Sequence, residues 1–275
     1  MTAISRFPVM QRAKGEAFVG LACRDGRVRL QDLRQTGSAK AILPQVGAVP
    51  EVVFLNTSGG LTSDDRLRYA LALQGGVAVA TTQTAERAYR ADGASARMDV
   101  ALTVGPGGWL DWVPQETILF DGARLERRTR IDLGEGAGCL ALEAVVLGRA
   151  AMGETVGRVV FRDRREIWRG GKPVSVEPLG LGDAALCAGA AGLDGARAFA
   201  TIVMVGAGLG TGLGDALAPL RAVLDDDGVT AAASAFDGKL VVRMTAADGW
   251  PLRRQIVRAL AVLRSGRPLP RVWQM

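Results

Sequence analysis

With 275 residues, the chain is long enough for one mainly β or mixed unit with a sizeable core, or for two small ones. Apolar residues at 48% and charged residues at 23% exclude a disordered chain, and 36 glycines with 11 prolines point to many turns. A formal charge of +6 with no histidine excludes more, because Ser-His-Asp and Cys-His hydrolases, HExxH metalloproteases and zinc deaminases all need imidazole.

The first elements read as strands. Ala17, Val19 and Leu21 alternate, interrupted by Phe18, up to the hairpin signal Asp25-Gly26, after which Val28 and Leu30 alternate with arginines. Leu67, Tyr69, Leu71 and Leu73 form a second strand, Met98, Val100, Leu102 and Val104 a third, and Leu125, Arg127, Thr129 and Ile131 a weaker fourth. Residues 71–82, 102–114 and 131–143 each run strand, glycine turn, strand, with the turns at Gly76, Gly108 and Gly138. Recurrence near thirty residues predicts stacked hairpins in a mainly β, layered or superhelical body. Each second strand leads into polar residues, Thr82-Gln83, Gln115-Glu116 and Glu143, which stacking would gather at one end as a groove or passage. Ordinary strand-end polarity explains them equally well.

After Pro178 the pattern changes to a strand at 199–205, a glycine-rich turn, a helix near 215–224, a strand at 240–244 and a final helix. In that helix Leu252, Ile256, Leu260 and Leu263 form an apolar stripe. We expect a single domain in which residues 1–178 make the β body and 179–275 a small α/β layer packed on it.

Five segments carry a recognisable pattern. They are Asn56-Thr57-Ser58-Gly59-Gly60-Leu61 with Asp65-Arg66-Leu67; Thr82-Gln83-Thr84-Ala85 with Tyr89-Arg90; Pro114-Gln115-Glu116-Thr117-Ile118 with Phe120-Asp121-Gly122-Ala123; Glu143 with Leu147-Gly148-Arg149 through Glu154; and Pro270-Arg271-Val272-Trp273. In this order and spacing they resemble the UreD (UreH) family of urease accessory proteins. Two positions depart from the family pattern: Asp64 stands where glycine is usual and Arg87 where lysine is.

The resemblance implies a predominantly β superhelical fold and no catalysis of its own. It also implies work with UreF and the GTPase UreG on apo-urease, with nickel supplied by UreE as transient cargo and no tightly bound cofactor. Asp65 and Glu143, with Thr82, Gln83 and Gln115, are then candidates for a metal passage or partner groove. Asn56, Thr57, Gly59 and Gly60 suit either a tight turn or backbone approach to a ligand. Arg149 and Glu154 read as a structural bridge, Arg271 as part of the terminal motif and Trp273 as an anchor.

Two other readings stand beside this one. Gly206, Gly208 and Gly210 after a strand imitate a dinucleotide-binding turn, with Asp226 downstream, although Thr211 sits where the third glycine belongs. A generic β interaction module is the other. Residues 1–8 lack a leader-like apolar stretch, and no run reaches the roughly 18 apolar residues of a membrane span, so we expect a cytoplasmic protein off the membrane. Cys23, Cys139 and Cys187 are scattered and are expected to be reduced and buried. Only Lys14, Lys40, Lys172 and Lys239 are lysines. An arginine-rich chain without a nucleic-acid module suits an acidic protein partner, or simply a solvated basic face.

Overall fold

The computed structural model describes residues 12–44, 47–206 and 212–274. The chain enters through a hairpin, β1 (Lys14–Arg24) and β2 (Arg27–Gly37), whose turn residues Asp25 and Gly26 have φ of 51° and 73°, as a two-residue type I′ turn requires. Two short strands follow, β3 (Ala39–Ile42) and β4 (Glu51–Asn56). The body then coils through β5 (Arg66–Gln74), β6 (Val77–Thr82), β7 (Glu86–Ala88), β8 (Ala96–Val104), β9 (Trp109–Trp112), β10 (Thr117–Leu119), β11 (Ala123–Leu133) and β12 (Gly138–Leu147). A second long hairpin, β13 (Val159–Arg169) and β14 (Lys172–Gly182), leads to the short helix α1 (Asp183–Leu186). The remainder supplies β15 (Ala198–Val205), α2 (Leu213–Arg221), β16 (Val229–Phe236), β17 (Lys239–Ala246) and α3 (Gly249–Leu263).

Equivalent strands of successive turns pair in parallel. The first sheet stacks β1, β5, β8, β11 and β13; the second stacks β4, β6, β9 and β12; and β7, β10 and the end of β12 form a narrow third side. The thirty-residue recurrence is therefore one turn of a β-superhelix, and the fold is mainly β as expected. The repeating units are not hairpins, however. The strands either side of Gly76, Gly108 and Gly138 lie in opposite sheets and pair with the next turn rather than with each other. Gly75 and Gly76 both have φ of 75°, a left-handed pair that swings the chain across the core, and the arches stack through Trp109 N–H to Gly76 O (2.8 Å) and Gly138 N–H to Gly108 O (2.9 Å). Leu71 and Leu102 of one sheet thus share a buried core with Ala80 and Leu110 of the other.

The outer face of the second sheet is covered by helices. Leu140, Leu142, Ala200 and Ile202 pack with Leu252, Ile256, Leu260 and Leu263, the stripe read from the sequence. Arg264, just after α3, bonds the buried Asp111 of β9 at 2.9 Å and fastens that helix to the sheet. The α/β layer is continuous with the body, because β15 pairs antiparallel with β12 and position 178 falls inside β14. Cys139 is buried, but Cys23 and Cys187, expected inside, are exposed, one near the β1–β2 turn and one just after α1. Among the described residues no helix is long and apolar enough to cross a membrane.

Candidate functional site

Between the sheets, one seam is charged. The pleat of β11 turns Leu125, Arg127, Thr129 and Ile131 inward, so an arginine and a threonine occupy positions that a sandwich normally fills with aliphatic residues. Arg127 meets Asp163 of β13 through Nε (3.0 Å) and Nη2 (2.7 Å), Glu143 of β12 through Nη1 (2.8 Å), and also donates to Thr117 Oγ1 (2.9 Å). The other Glu143 oxygen accepts from Trp112 Nε1 (3.2 Å) and Thr129 Oγ1 (3.0 Å). Burial alone would favour a neutral guanidine, but Asp163 and Glu143 outweigh it and hold the Arg127 pKa above its ordinary value.

The chain of ion pairs continues outward, from Asp163 to Arg165 (3.3 Å), to Glu177 (3.5 Å) and to Arg243 (2.8 Å). Side-chain exposure climbs from 3% at Arg127 through 14% at Arg165 and 20% at Glu177 to 64% at Arg243, so the seam runs from mid-sandwich to solvent. A cavity of ≈ 20 Å³ lined by Thr129, Glu143, Arg165, Glu177 and Thr201 lies along it, room for about one water. Three arginines balance three carboxylates. Such a seam offers oxygen contacts to a passing cation only where an arginine yields them. The Cys139 thiol is pushed up to about 12 by burial, with Asp111 adding to the effect, so it is no thiolate ligand near neutrality.

The other expected residues are distributed elsewhere. Asp65 accepts from Ala13 N–H (2.7 Å) and Thr62 N–H (2.8 Å), pinning the start of β5 to the segment before β1, and among the described residues it shares no hydrogen-bond partner with Glu143. Thr82 and Gln115 do meet, since Gln115 N–H donates to Thr82 Oγ1 at 2.9 Å. They close onto the C-terminal tail, where Gln115 accepts from Arg253 (2.6 Å) and donates to Val272 O (3.3 Å). Gln83 is exposed. Arg271 lines a separate cavity of ≈ 600 Å³ with Glu51, Arg264 and Arg267, away from the seam.

Four of the five motif segments meet on the narrow third side. Tyr89 donates to Gly59 O (3.3 Å) and sets its ring against Phe120 at 5.0 Å, and a Cβ on Gly60 would strike that tyrosine. Arg90 pairs with Asp121 (2.9 Å), Asp121 N–H donates to Glu154 (3.2 Å), and Arg149 bonds Glu154 (2.8 Å) while lying over Phe120. Thr57 donates to Ser38 O (3.0 Å), and Asn56 donates to Glu86 (3.2 Å). Asp64, standing where the motif usually has glycine, has φ of 62°, a left-handed turn that aspartate tolerates better than most residues.

Glu86 yields a pH test. Burial pushes its carboxyl up to about 7 against the opposing Asn56 hydrogen bond, so the fold retains a proton that the unfolded chain releases. Stability from this site is lost as pH rises from 4.5 to about 7. Glu86→Gln is therefore expected to be more stable than the parent near pH 8, by up to about 3 kcal/mol, with a far smaller difference near pH 4.5. Thermal melts across that range check it, and a pH-independent difference would show the carboxyl to be ionised in the fold.

Comparison with known proteins decides what this architecture belongs to. The family model described as UreD urease accessory protein matches residues 13–274. The chain belongs to the UreD family. It is 65% identical over 269 residues to a urease accessory protein UreD of Cereibacter sphaeroides, covering 96% of each chain. It is 53% identical to one from Paracoccus denitrificans (97% of this chain, 94% of that one) and 48% identical to one from Jannaschia sp. (98% of both). As a UreD-family member the chain is an accessory factor in urease maturation.

The dinucleotide reading does not fit this UreD-family sheet. Residues 207–211 lie outside the described residues, but β15 before them runs antiparallel to both β12 and β17, whereas that fold needs parallel βαβ units. Asp226, the supposed ribose ligand, pairs with Arg254. Conversely, Arg127, Asp163, Arg165 and Glu177 of the seam are not legible as a site in the sequence. The available signal was the inward parity of Arg127 and Thr129 in the weakest of the four alternations.

Proposed function

We propose that the chain is a non-catalytic cytoplasmic scaffold that docks, with UreF and the GTPase UreG, on apo-urease and assists nickel insertion, nickel passing as cargo with no cofactor held tightly. The seam supports this reading: it carries oxygens of Glu143 and Asp163 from solvent into the body, each compensated by arginine, so a cation meets weak and exchangeable contacts. A divalent ion with six waters needs the space of about six water molecules, whereas the cavity has room for about one, so passage requires shedding water or parting the Arg127 ion pairs. Exposed, unpaired Cys23 and Cys187 suit a reducing compartment.

Glu143→Gln tests the reading. The amide oxygen keeps the Trp112 and Thr129 bonds, but its NH₂ faces Arg127, so the expected stability loss is about 1–2 kcal/mol. Ile202→Val, a buried truncation in β15 that faces the helix-side core away from the seam, with a loss of about 1 kcal/mol, serves as the stability-matched control. Nickel per urease active site should fall with Glu143→Gln and hold with Ile202→Val; equal nickel in both sinks the passage. Equilibrium dialysis of the isolated chain should show weak nickel retention, and a submicromolar one-to-one site would overturn the weak-contact reading.

A further inference from the structure

The outer face of the first sheet is open, and its parallel register lines up charges across it. One row crosses five adjacent strands: Lys14 on β1 beside Arg66 on β5, Arg66 beside Arg97 on β8, Arg97 beside Glu126 on β11, and Glu126 beside Arg162 on β13. All four cations in the row are exposed. Over the outward positions of these strands, Lys14 and nine arginines stand against five carboxylates, so a net +5 of the chain's +6 lies on this face.

At the row's edge the face is hollowed. Two cavities of ≈ 270 Å³ and ≈ 280 Å³ adjoin, sharing Arg124 and Val160. Arg66 lines one, Arg158 the other and Arg124 both, and among the described residues the guanidinium groups of these three have no hydrogen-bond or ion-pair partner. Neighbouring Arg97 and Arg162 share only Glu126, at 3.6 and 3.2 Å. The second cavity also reaches Arg90 and Gly122 of the motif cluster on the third side.

We propose that this hollowed basic row is a docking surface for an acidic patch of apo-urease. The inference rests on the reading that the chain works bound to urease, and names the surface that makes the contact. Four strand spacings of about 4.8 Å give the row a span near 19 Å. One phosphate or one carboxylate is only a few ångströms across and cannot span the row, so the row matches a partner bearing several carboxylates. Nucleic acid fits less well: no aromatic side chain lines either cavity for base stacking, and Asp64, Asp92 and Glu126 among the arginines repel a continuous phosphate backbone. A protein surface of mixed charge and acidic excess meets both signs.

The experiment measures binding of the full chain, purified with its co-expressed partners, to immobilised apo-urease over a range of NaCl concentrations. Arg66→Glu/Arg124→Glu changes two exposed side chains that the fold does not use. Arg27→Glu/Arg29→Glu, exposed on the opposite end of β2, makes the same charge change as a control. Wild-type binding should weaken steeply with salt, the first pair should lose at least about tenfold in affinity with an unchanged melt, and the control should bind as wild type. Equal binding by the Arg66/Arg124 pair, or an equal loss in the control, overturns the surface while leaving the urease reading intact. No binding by the wild type fails the urease reading and this surface with it. Retention of a short RNA, sensitive to the Arg66/Arg124 pair, with urease binding insensitive to it, assigns the face to a polyanion and overturns the proposal.

Discussion

Arg127→Met is expected to destabilise the fold by about 3–5 kcal/mol, because it leaves Glu143 and Asp163 facing each other in the core without their shared cation. Denaturant melts that show a shifted midpoint with an unchanged slope measure it. The informative companion is Arg127→Met/Glu143→Leu/Asp163→Leu, which replaces the whole cluster by aliphatic side chains of similar bulk. Buried ion clusters are often replaceable in this way without net loss, so much of the stability should return, limited by the Trp112 indole and the Thr129 hydroxyl that lose their acceptor. If nickel moves along the seam, this restored fold should still fail to mature urease. A triple variant that is both stable and fully active would show that the seam serves neither stability nor transfer.

Trp273→Ala is the other large expected effect, a loss of about 3–5 kcal/mol. The indole is 5% exposed and packs in the helix-side core, donates from Nε1 to Val113 O at 2.9 Å, and lies under the Arg253 guanidinium at 4.6 Å. Arg253 in turn joins the tail to Gln115, so the last residues fasten α3 to the end of the second sheet. Trp273→Phe keeps most of the packing and removes the donor, and should cost only about 1–2 kcal/mol. Deleting residues 269–275 should resemble the alanine variant and lower soluble yield. A melting temperature for Trp273→Ala close to that of the parent would show that the tail is not an anchor.

Much of this was legible locally. The alternation Leu67, Tyr69, Leu71, Leu73 names the inward side of β5 because the pleat sets a period of two within a few residues, and Asp25-Gly26 names a tight turn because both residues adopt left-handed backbone at modest cost. The stripe from Leu252 to Leu263 names the buried face of α3 for the same kind of reason. Edge strands β14 and β16 give little signal, since most of their residues are exposed or only half-buried and no strict alternation is needed.

Which strand lies beside which was decided only by the tertiary structure. A strand, a glycine turn and a second strand look alike whether they close into a hairpin or open into an arch, and the choice depends on whether the next turn of chain, some thirty residues on, offers its own strands for parallel pairing. Arg127 shows the same limit. In the sequence it is a flaw in an alternation, and it becomes the centre of a seam because β13 brings Asp163 to it across 36 residues while β12 brings Glu143 from the opposite sheet. Pleat and turn geometry are properties of neighbouring residues and can be read from them, whereas a buried charge is tolerated only where distant segments converge to compensate it.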